Sequence, residues 1–185
     1  MNLWLRLLWV LLLAPFRARL APREGVSRVA FRVWPHDLDL NLHLNNGRYL
    51  TLMDLGRIDF VLRTGLWRPL MANKWSPIIS TAAIRFRREL RPFEAFTIET
   101  RLVAWSDTTA VMEQTFVSAR ERVAARALVK AGFYARRDRA YVTVKLLVEA
   151  LGATPEEAQS PPLTPEVEAF LKADGALRNP ADSGQ

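Results

Sequence analysis

The densest chemistry in this 185-residue chain lies in one stretch, Asp37-Leu38-Asp39-Leu40-Asn41-Leu42-His43-Leu44-Asn45-Asn46-Gly47-Arg48-Tyr49. Six polar functional groups occupy the ten positions from Asp37 to Asn46. A carboxylate or an imidazole near neutral pH can take a proton from water or attack an electrophile directly. Leucines alternate with the polar residues, so an extended segment would place Asp39, Asn41 and His43 on one side. Asp37 reads as a turn former. His36, beside Pro35, reads as an exposed loop residue. Composition alone favours a solvated loop capped by Asn46. The chain has no cysteine, which excludes thiolate nucleophiles, disulfide scaffolds, zinc fingers and iron–sulfur clusters. With His36 and His43 as the only histidines, a multi-histidine metal site is not expected, and no cofactor is called for.

The surrounding pattern predicts the elements that must hold these groups. Residues 28–34 alternate as a strand ending at Pro35. Residues 47–65 predict a helix, with Asn46 as N-cap and Gly65 as terminator. Its apolar positions cover more than one face, so it is buried on most sides. Gly56 inside it costs about 1 kcal/mol against Ala, which points to close packing on a neighbouring backbone. Strands follow at 77–88, 94–105, 109–118 and 122–136, separated by turn residues such as Arg91-Pro92 and Ser106-Asp107. With no helix between them they must pair antiparallel. One buried helix followed by four long strands requires a sheet that curls around the helix. Residues 140–159 read as partly helical. A short helix beginning at Pro165 should run to about Ala173, and the last dozen residues should fray.

The Asp-x-Asp stretch followed by His43, Asn45-Asn46 and Tyr49 resembles the signature of the hotdog-fold thioesterases of the 4-hydroxybenzoyl-CoA and acyl-ACP type. The strand–helix–four-strand order is also that of the hotdog fold. The α+β class is therefore implied, with an antiparallel sheet wrapped around one long helix. The match covers about residues 27–140. The leucine-rich form of the motif, with an apolar leading segment, looks most like a membrane-associated subgroup, the thioesterase superfamily member 6-like proteins. Position by position, the resemblance puts the catalytic carboxylate at Asp39. The acyl-ACP branch adds an active-site Asn and His at Asn41 and His43. It also adds a glutamate on a following strand, which Ile84–Glu89 matches at Glu89. The residue after that glutamate is often Cys in the branch and is Leu90 here. The acyl-CoA branch implies substrate contacts at Tyr49 and Asp54, with Arg57 beside them. Backbone N–H groups at the helix start, around Asn46 and Gly47, could polarise a thioester carbonyl. The implied activity is hydrolysis of an acyl-CoA or acyl-ACP thioester, at clefts between subunits of a homodimer or tetramer. The alternative is a non-catalytic acyl-binding or scaffolding hotdog protein at a membrane surface. Arg85, Arg87, Arg136, Arg137 and Arg139 are candidates for carrier phosphates, although each alone also fits an exposed arginine. A hotdog hydratase is disfavoured, because its Asp-x-Asn-Pro-x-His pattern is absent.

Charge organises the chain further. The formal net charge is +7. Residues 1–35 carry six arginines against Glu24 alone, so they hold +5 of it. The remainder is near neutral, which argues against a nucleic-acid-binding domain. The domain reading is an apolar and basic segment at 1–25, a hotdog domain at 26–140 and a helical extension at 141–185. The apolar run at Leu7–Phe16 is too short to span a bilayer, which needs about 20 residues. Three readings stand: a signal peptide, a membrane-surface anchor through residues 1–20 with Trp4 and Trp9, and a helix packed on its own domain or a partner. The basic flank after the run favours the cytoplasmic side, peripheral on the membrane. On the anchor reading, residues 1–20 lie outside the core and can be removed without unfolding the domain.

Overall fold

The computed structural model describes residues 2–152 and 159–177. The chain opens with helix α1, Asn2–Leu13, and a single 3-10 turn, Ala14–Phe16. Strand β1, Ser27–Arg32, leads through a short turn at Pro35–Asp37 into the motif loop and then helix α2, Asn46–Thr64. Helix α3, Trp67–Ala72, follows. Four long strands come next: β2, Trp75–Phe86; β3, Ala95–Trp105; β4, Thr109–Ser118; β5, Val123–Ala135. The chain continues through β6, Ala140–Tyr141, and helices α4, Val144–Leu151, and α5, Pro165–Leu177.

The long strands form one antiparallel sheet in the order β1-β3-β4-β5-β2. Its inner face closes on α2. Leu52, Met53, Leu55 and Tyr49 of the helix pack with Val29 and Phe31 of β1, Phe96 and Ile98 of β3, Phe116 of β4 and Ala125, Ala127 and Val129 of β5. This is the hotdog architecture expected from one buried helix and four strands, and the predicted strands fall within two residues of the observed ones. The close approach read from Gly56 is present: a methyl there would lie 2.6 Å from Thr100 Oγ1. Gly65 ends the helix with φ 83°, a left-handed conformation that glycine reaches without steric cost.

Two expectations change. The N-cap is Asn45, not Asn46: its Oδ1 accepts the Gly47 N–H at 2.8 Å, and Asn46 is already helical. Either asparagine could cap in sequence terms; the backbone turns helical one residue earlier than an Asn46 cap would give. The C-terminal helix runs beyond Ala173 to Leu177. It continues because it is docked: Val167 and Phe170 pack on Ala104 and Val111, and Asp174 meets the buried Lys130 Nζ at 2.6 Å. Expectations for residues 153–158 and from 178 onward lie outside the described residues.

Helix α1 is not a loose leader. Leu3, Leu7 and Val10 point into the main core, and Arg6 is only 7% exposed. The expectation that this segment stands outside the core is therefore corrected. The physical reason is its period: Leu3, Leu7, Val10 and Ala14 share one helical face. Its other face carries Trp4, Leu5, Leu8, Trp9 and Leu12, with Trp4 74% exposed and Phe16 beyond them 87% exposed. Arginines of the same segment cover the outer edge of β1. Arg17 Nη1 donates to the Arg28 carbonyl at 3.1 Å and Arg6 Nη2 to the Arg32 carbonyl at 2.8 Å. The opposite edge strand, β2, exposes Ile78, Ile79 and Phe86.

Candidate functional site

The motif loop is not extended. Leu38 pairs with Leu44 in a single bridge, the Asp39 N–H donates to the His43 carbonyl at 2.9 Å, and the Leu42 N–H donates to the Asp39 carbonyl at 3.1 Å. The segment is a tight hairpin. Asp39 Oδ1 accepts the Asn41 N–H at 2.8 Å, so this aspartate closes an Asx turn. Leu42 sits at φ 58°, an unfavourable conformation for a leucine. The expectation that alternation lines up Asp39, Asn41 and His43 on one side of a strand is thus replaced by a turn. Its leucines at the tip are solvent-facing, with Leu40 fully exposed.

The two aspartates exchange the roles that sequence suggested for turn making. Asp37 has no exposed surface. Its carboxylate accepts Arg6 Nη1 at 3.1 Å, Arg6 Nη2 at 2.6 Å, Arg48 Nε at 3.2 Å, Arg48 Nη2 at 3.0 Å and the Trp34 N–H at 2.9 Å. Burial pushes this carboxyl up, but the hydrogen bonds from Arg6 and Trp34, the charge of Arg6 and the bond from Arg48 outweigh it and hold the group below the ordinary carboxylate value. The Asp37 carbonyl also accepts the Asn45 N–H at 2.9 Å, which ties the base of the hairpin to the helix cap. Sequence reasoning missed this hub, since nothing local to Asp37 announces a partner 31 residues away.

His43 and Glu89 come together within one chain. His43 Nε2 stands 2.7 Å from Glu89 Oε2. Glu89 belongs to the loop after β2 and also takes Arg91, with Nε at 2.8 Å from Oε1. The hydrogen bond from Arg91 lowers the Glu89 carboxyl below its ordinary value, helped by the charges of His43 and Arg91 against a small burial effect. The Leu44 N–H donates to the Leu90 carbonyl at 2.9 Å and holds the two loops side by side. Leu90, where the acyl-ACP branch often has Cys, is fully buried in the core.

The other predicted residues are placed as follows. The Gly47 N–H is already taken by the Asn45 cap, and a methyl at Gly47 would lie 3.2 Å from that cap oxygen, so the glycine makes room for the cap. Asn46 and Asn41 are exposed. Tyr49 is 2% exposed, its ring 5.1 Å from Phe86 and 4.7 Å from Phe116 between centroids. Burial, with a smaller effect from the charge of Glu94, pushes its hydroxyl up to about 12. Asp54 is exposed and pairs with Arg57, which also reaches Gln114 Oε1 at 2.6 Å. The helix-surface pair that sequence offered as the plainer reading of Asp54 and Arg57 is present.

Beside Glu89 an open cleft of about 660 Å³ is lined by Arg88, Arg91, Arg120 and Arg122, with Glu94 and Ser118. These are not the arginines expected to hold phosphates. Arg85 and Arg87 flank one end of the β2–β5 ladder and Arg136, Arg137 and Arg139 the other. A strand of 13 residues separates its ends by roughly 40 Å. A groove of similar size, about 700 Å³, lies between α1 and β1, walled by Leu5, Trp9, Phe31 and Trp34. Its lining is mainly apolar, with Arg6, Arg32 and His36 also on it. The acids and bases cluster at the hairpin and the arginine cleft.

A family model described as the thioesterase-like superfamily matches residues 33–171. Protein THEM6 from Xenopus laevis is 40% identical over 89 residues, covering 48% of this chain and 43% of that protein. Protein THEM6 from Danio rerio is 36% identical over 115 residues, covering 62% of this chain and 57% of that one. This chain thus spans about half the length of those two relatives, 43% and 57%. Among solved structures, the YbaW probable thioesterase from Escherichia coli superposes with TM-score 0.63 at 20% identity, over 68% of this chain and 96% of that one. A Staphylococcus aureus protein solved in complex with CoA gives TM-score 0.64 at 14% identity, over 82% of this chain and 95% of that one. The structural likenesses show a shared fold, and the family model spans most of the sequence from the end of β1 into α5. The chain belongs to the thioesterase-like superfamily.

Proposed function

We propose that this protein hydrolyses acyl-CoA thioesters, with Asp39 as the catalytic carboxylate and the His43–Glu89 pair beside it. The observation that carries the reading is that pair: His43 Nε2 at 2.7 Å from Glu89 Oε2, on loops joined by the Leu44–Leu90 hydrogen bond. Asp39 lies on the same hairpin, four residues before His43. Glu89 fixes one ring nitrogen, so Nδ1 is the one that can exchange a proton. Water attacks the thioester carbonyl carbon as its proton passes to Asp39 or His43, giving a tetrahedral oxyanion; the carbonyl then re-forms, the C–S bond breaks and the thiolate leaves. Direct attack by Asp39, through an anhydride that water then opens, is the other route to the same acid and thiol. The Asn46 N–H is bonded to no described group and stands at the positive end of α2, so it is the donor for the developing oxyanion.

CoA is favoured over an acyl carrier protein by the arginine cleft beside Glu89, whose guanidiniums suit phosphates at close quarters. Asn41, Tyr49 and Asp54 enter as supports rather than reacting groups: Asn41 at the turn, Tyr49 behind the hairpin, Asp54 through Arg57. The working unit in this reading is a homodimer paired along the exposed β2 edge, because α1 and its arginines cover the other edge. The outward face of α1, with Trp4 and Trp9, together with Phe16 and the exposed Arg19 beyond it, supports peripheral attachment to an anionic membrane on the cytoplasmic side. No described helix is long and apolar enough to cross a membrane.

A non-catalytic acyl-binding role is the second reading, favoured by the Asx turn that occupies Asp39 Oδ1. Thiol release measured across acyl-CoAs of short, medium and long chains, and across the matching acyl carrier protein thioesters, separates the two. Binding without thiol release from any of them would establish the second reading and end the first.

A further inference from the structure

The buried end of Arg6 joins helix α1 to the last residue of β1 and to the base of the motif hairpin. Its guanidinium grips both oxygens of Asp37, at 3.1 and 2.6 Å, and the Arg32 carbonyl at 2.8 Å. Asp37 in turn holds Arg48 in the first turn of α2, and its carbonyl holds the Asn45 N–H at the cap. Asp37 and Asn45 form the base of the hairpin that carries Asp39 and His43. His36 Nε2 stands 3.6 Å from Asp37 on the solvent side. Beyond that base, the hairpin has its own turn bonds, the Leu44–Leu90 link and the His43–Glu89 contact, and it includes a leucine at positive φ. Such a turn keeps its shape when its base is fixed from outside.

We propose that Arg6 is a positioning residue for the candidate site: helix α1, through the Arg6–Asp37 fork, sets the geometry of the Asp39–His43 hairpin. The inference rests on the hydrolase reading for its catalytic consequence, but the coupling itself is a property of the fold. It makes α1 a two-faced element. One face carries exposed Trp4 and Trp9, and the other carries the residue that locks the site, so whatever engages the outer face acts on the hairpin through the same rigid helix.

The test compares Arg6→Gln, Arg6→Lys and, as a control, Arg28→Gln, whose partner Glu99 forms a surface pair remote from the hairpin. Turnover of acyl-CoA per folded molecule is read together with amide hydrogen exchange of residues 39–44 and of core strand β4. Arg6→Gln should lower kcat by about 10-fold or more with KM within about twofold, since misplaced catalytic groups cost rate before binding. Amides of the hairpin should lose protection while those of β4 keep theirs. Arg6→Lys, which keeps the charge but not the fork, should fall between, and it carries the test alone if Arg6→Gln does not fold. Arg28→Gln should match wild type. Wild-type kcat together with wild-type hairpin exchange in the Arg6 variants would overturn the proposal, leaving Arg6 a purely stabilising residue. If the wild-type chain releases no thiol, the hydrolase reading falls separately. Exchange then decides the coupling alone: faster hairpin exchange supports it and unchanged exchange overturns it.

Discussion

At the scale of the residue, two aspartates two positions apart live in opposite electrostatic worlds. Asp37 is sealed among two guanidiniums and a backbone N–H; Asp39 closes a turn at the surface. Removing the charge of Asp37 leaves Arg6 buried without its counter-ion, and breaking a buried pair in this way costs about 3–5 kcal/mol. Asp37→Asn should therefore lower Tm by many degrees, measured by thermal unfolding at neutral pH. The Asp37 carboxyl is depressed in the folded chain, so its contribution is present above the ordinary carboxylate pKa and disappears as pH falls through the lowered value. The gap between wild type and Asp37→Asn should close only in strong acid. Tyr49 has the opposite sign: its hydroxyl is raised to about 12, so its neutral form stabilises the fold below pH about 10, and that contribution is lost as pH climbs toward 12. Phenolate absorbance of wild type minus Tyr49→Phe should show one tyrosine ionising near the upper value; a transition near pH 10 would contradict the packing described for its ring. The types of these residues were legible in the sequence, and their assignments were not. Asp-x-Asp marked the stretch, but the residue that buries Asp37 sits on α1, and a contact across 31 positions leaves no local trace.

At the scale of the element, sequence was most readable where local rules decide. Alternation and turn residues set β2 to β5 within two residues, because strand ends there coincide with Pro, Asp and Gly-free charged turns that interrupt pairing. The end of α2 followed from Gly65. The motif hairpin was misread because its polar–leucine alternation has the period of a strand while Asp39 and Leu42 fold it back on itself. Helix α1 was ambiguous because an apolar face toward the core and an apolar face toward solvent look alike in a hydropathy count. Gly56 tests the helix–sheet contact that the sequence did foretell. A methyl at that position would fall 2.6 Å from Thr100 Oγ1, 3.0 Å from Gln114 Nε2 and 3.1 Å from Ile98 Cγ2. Overpacking costs about 1–3 kcal/mol and outweighs the helix-propensity gain of about 1 kcal/mol. Gly56→Ala should unfold at lower denaturant than wild type; equal or greater stability would mean that α2 has room to move from the sheet.

At the scale of the whole molecule, the sheet has two edges with different fates. Arg6 and Arg17 cover the outer carbonyls of β1, and α1 lies alongside, while β2 presents Ile78 and Ile79 outward. The proposed dimer through β2 rests on that asymmetry. Ile79→Lys should shift sedimentation from dimer to monomer at micromolar concentration with the fold retained, and a wild-type chain that sediments as a monomer would remove the dimer from the account. The outer face of the sheet is closed by α5 through Val167, Phe170 and the Lys130–Asp174 pair, which leaves the β2 edge as the apolar strand edge on offer.

The proposed chemistry turns on the Asp39 carboxylate. Its most direct test is the rate of thiol release from a long-chain acyl-CoA by wild type and by Asp39→Asn, with circular dichroism confirming that both are folded. Asparagine keeps the size of the side chain and an oxygen for the Asn41 N–H, so the turn survives while the base or nucleophile is gone. A catalytic Asp39 gives measurable release by wild type and a fall of about 10²-fold or more in the variant. Equal rates from the two proteins would contradict it.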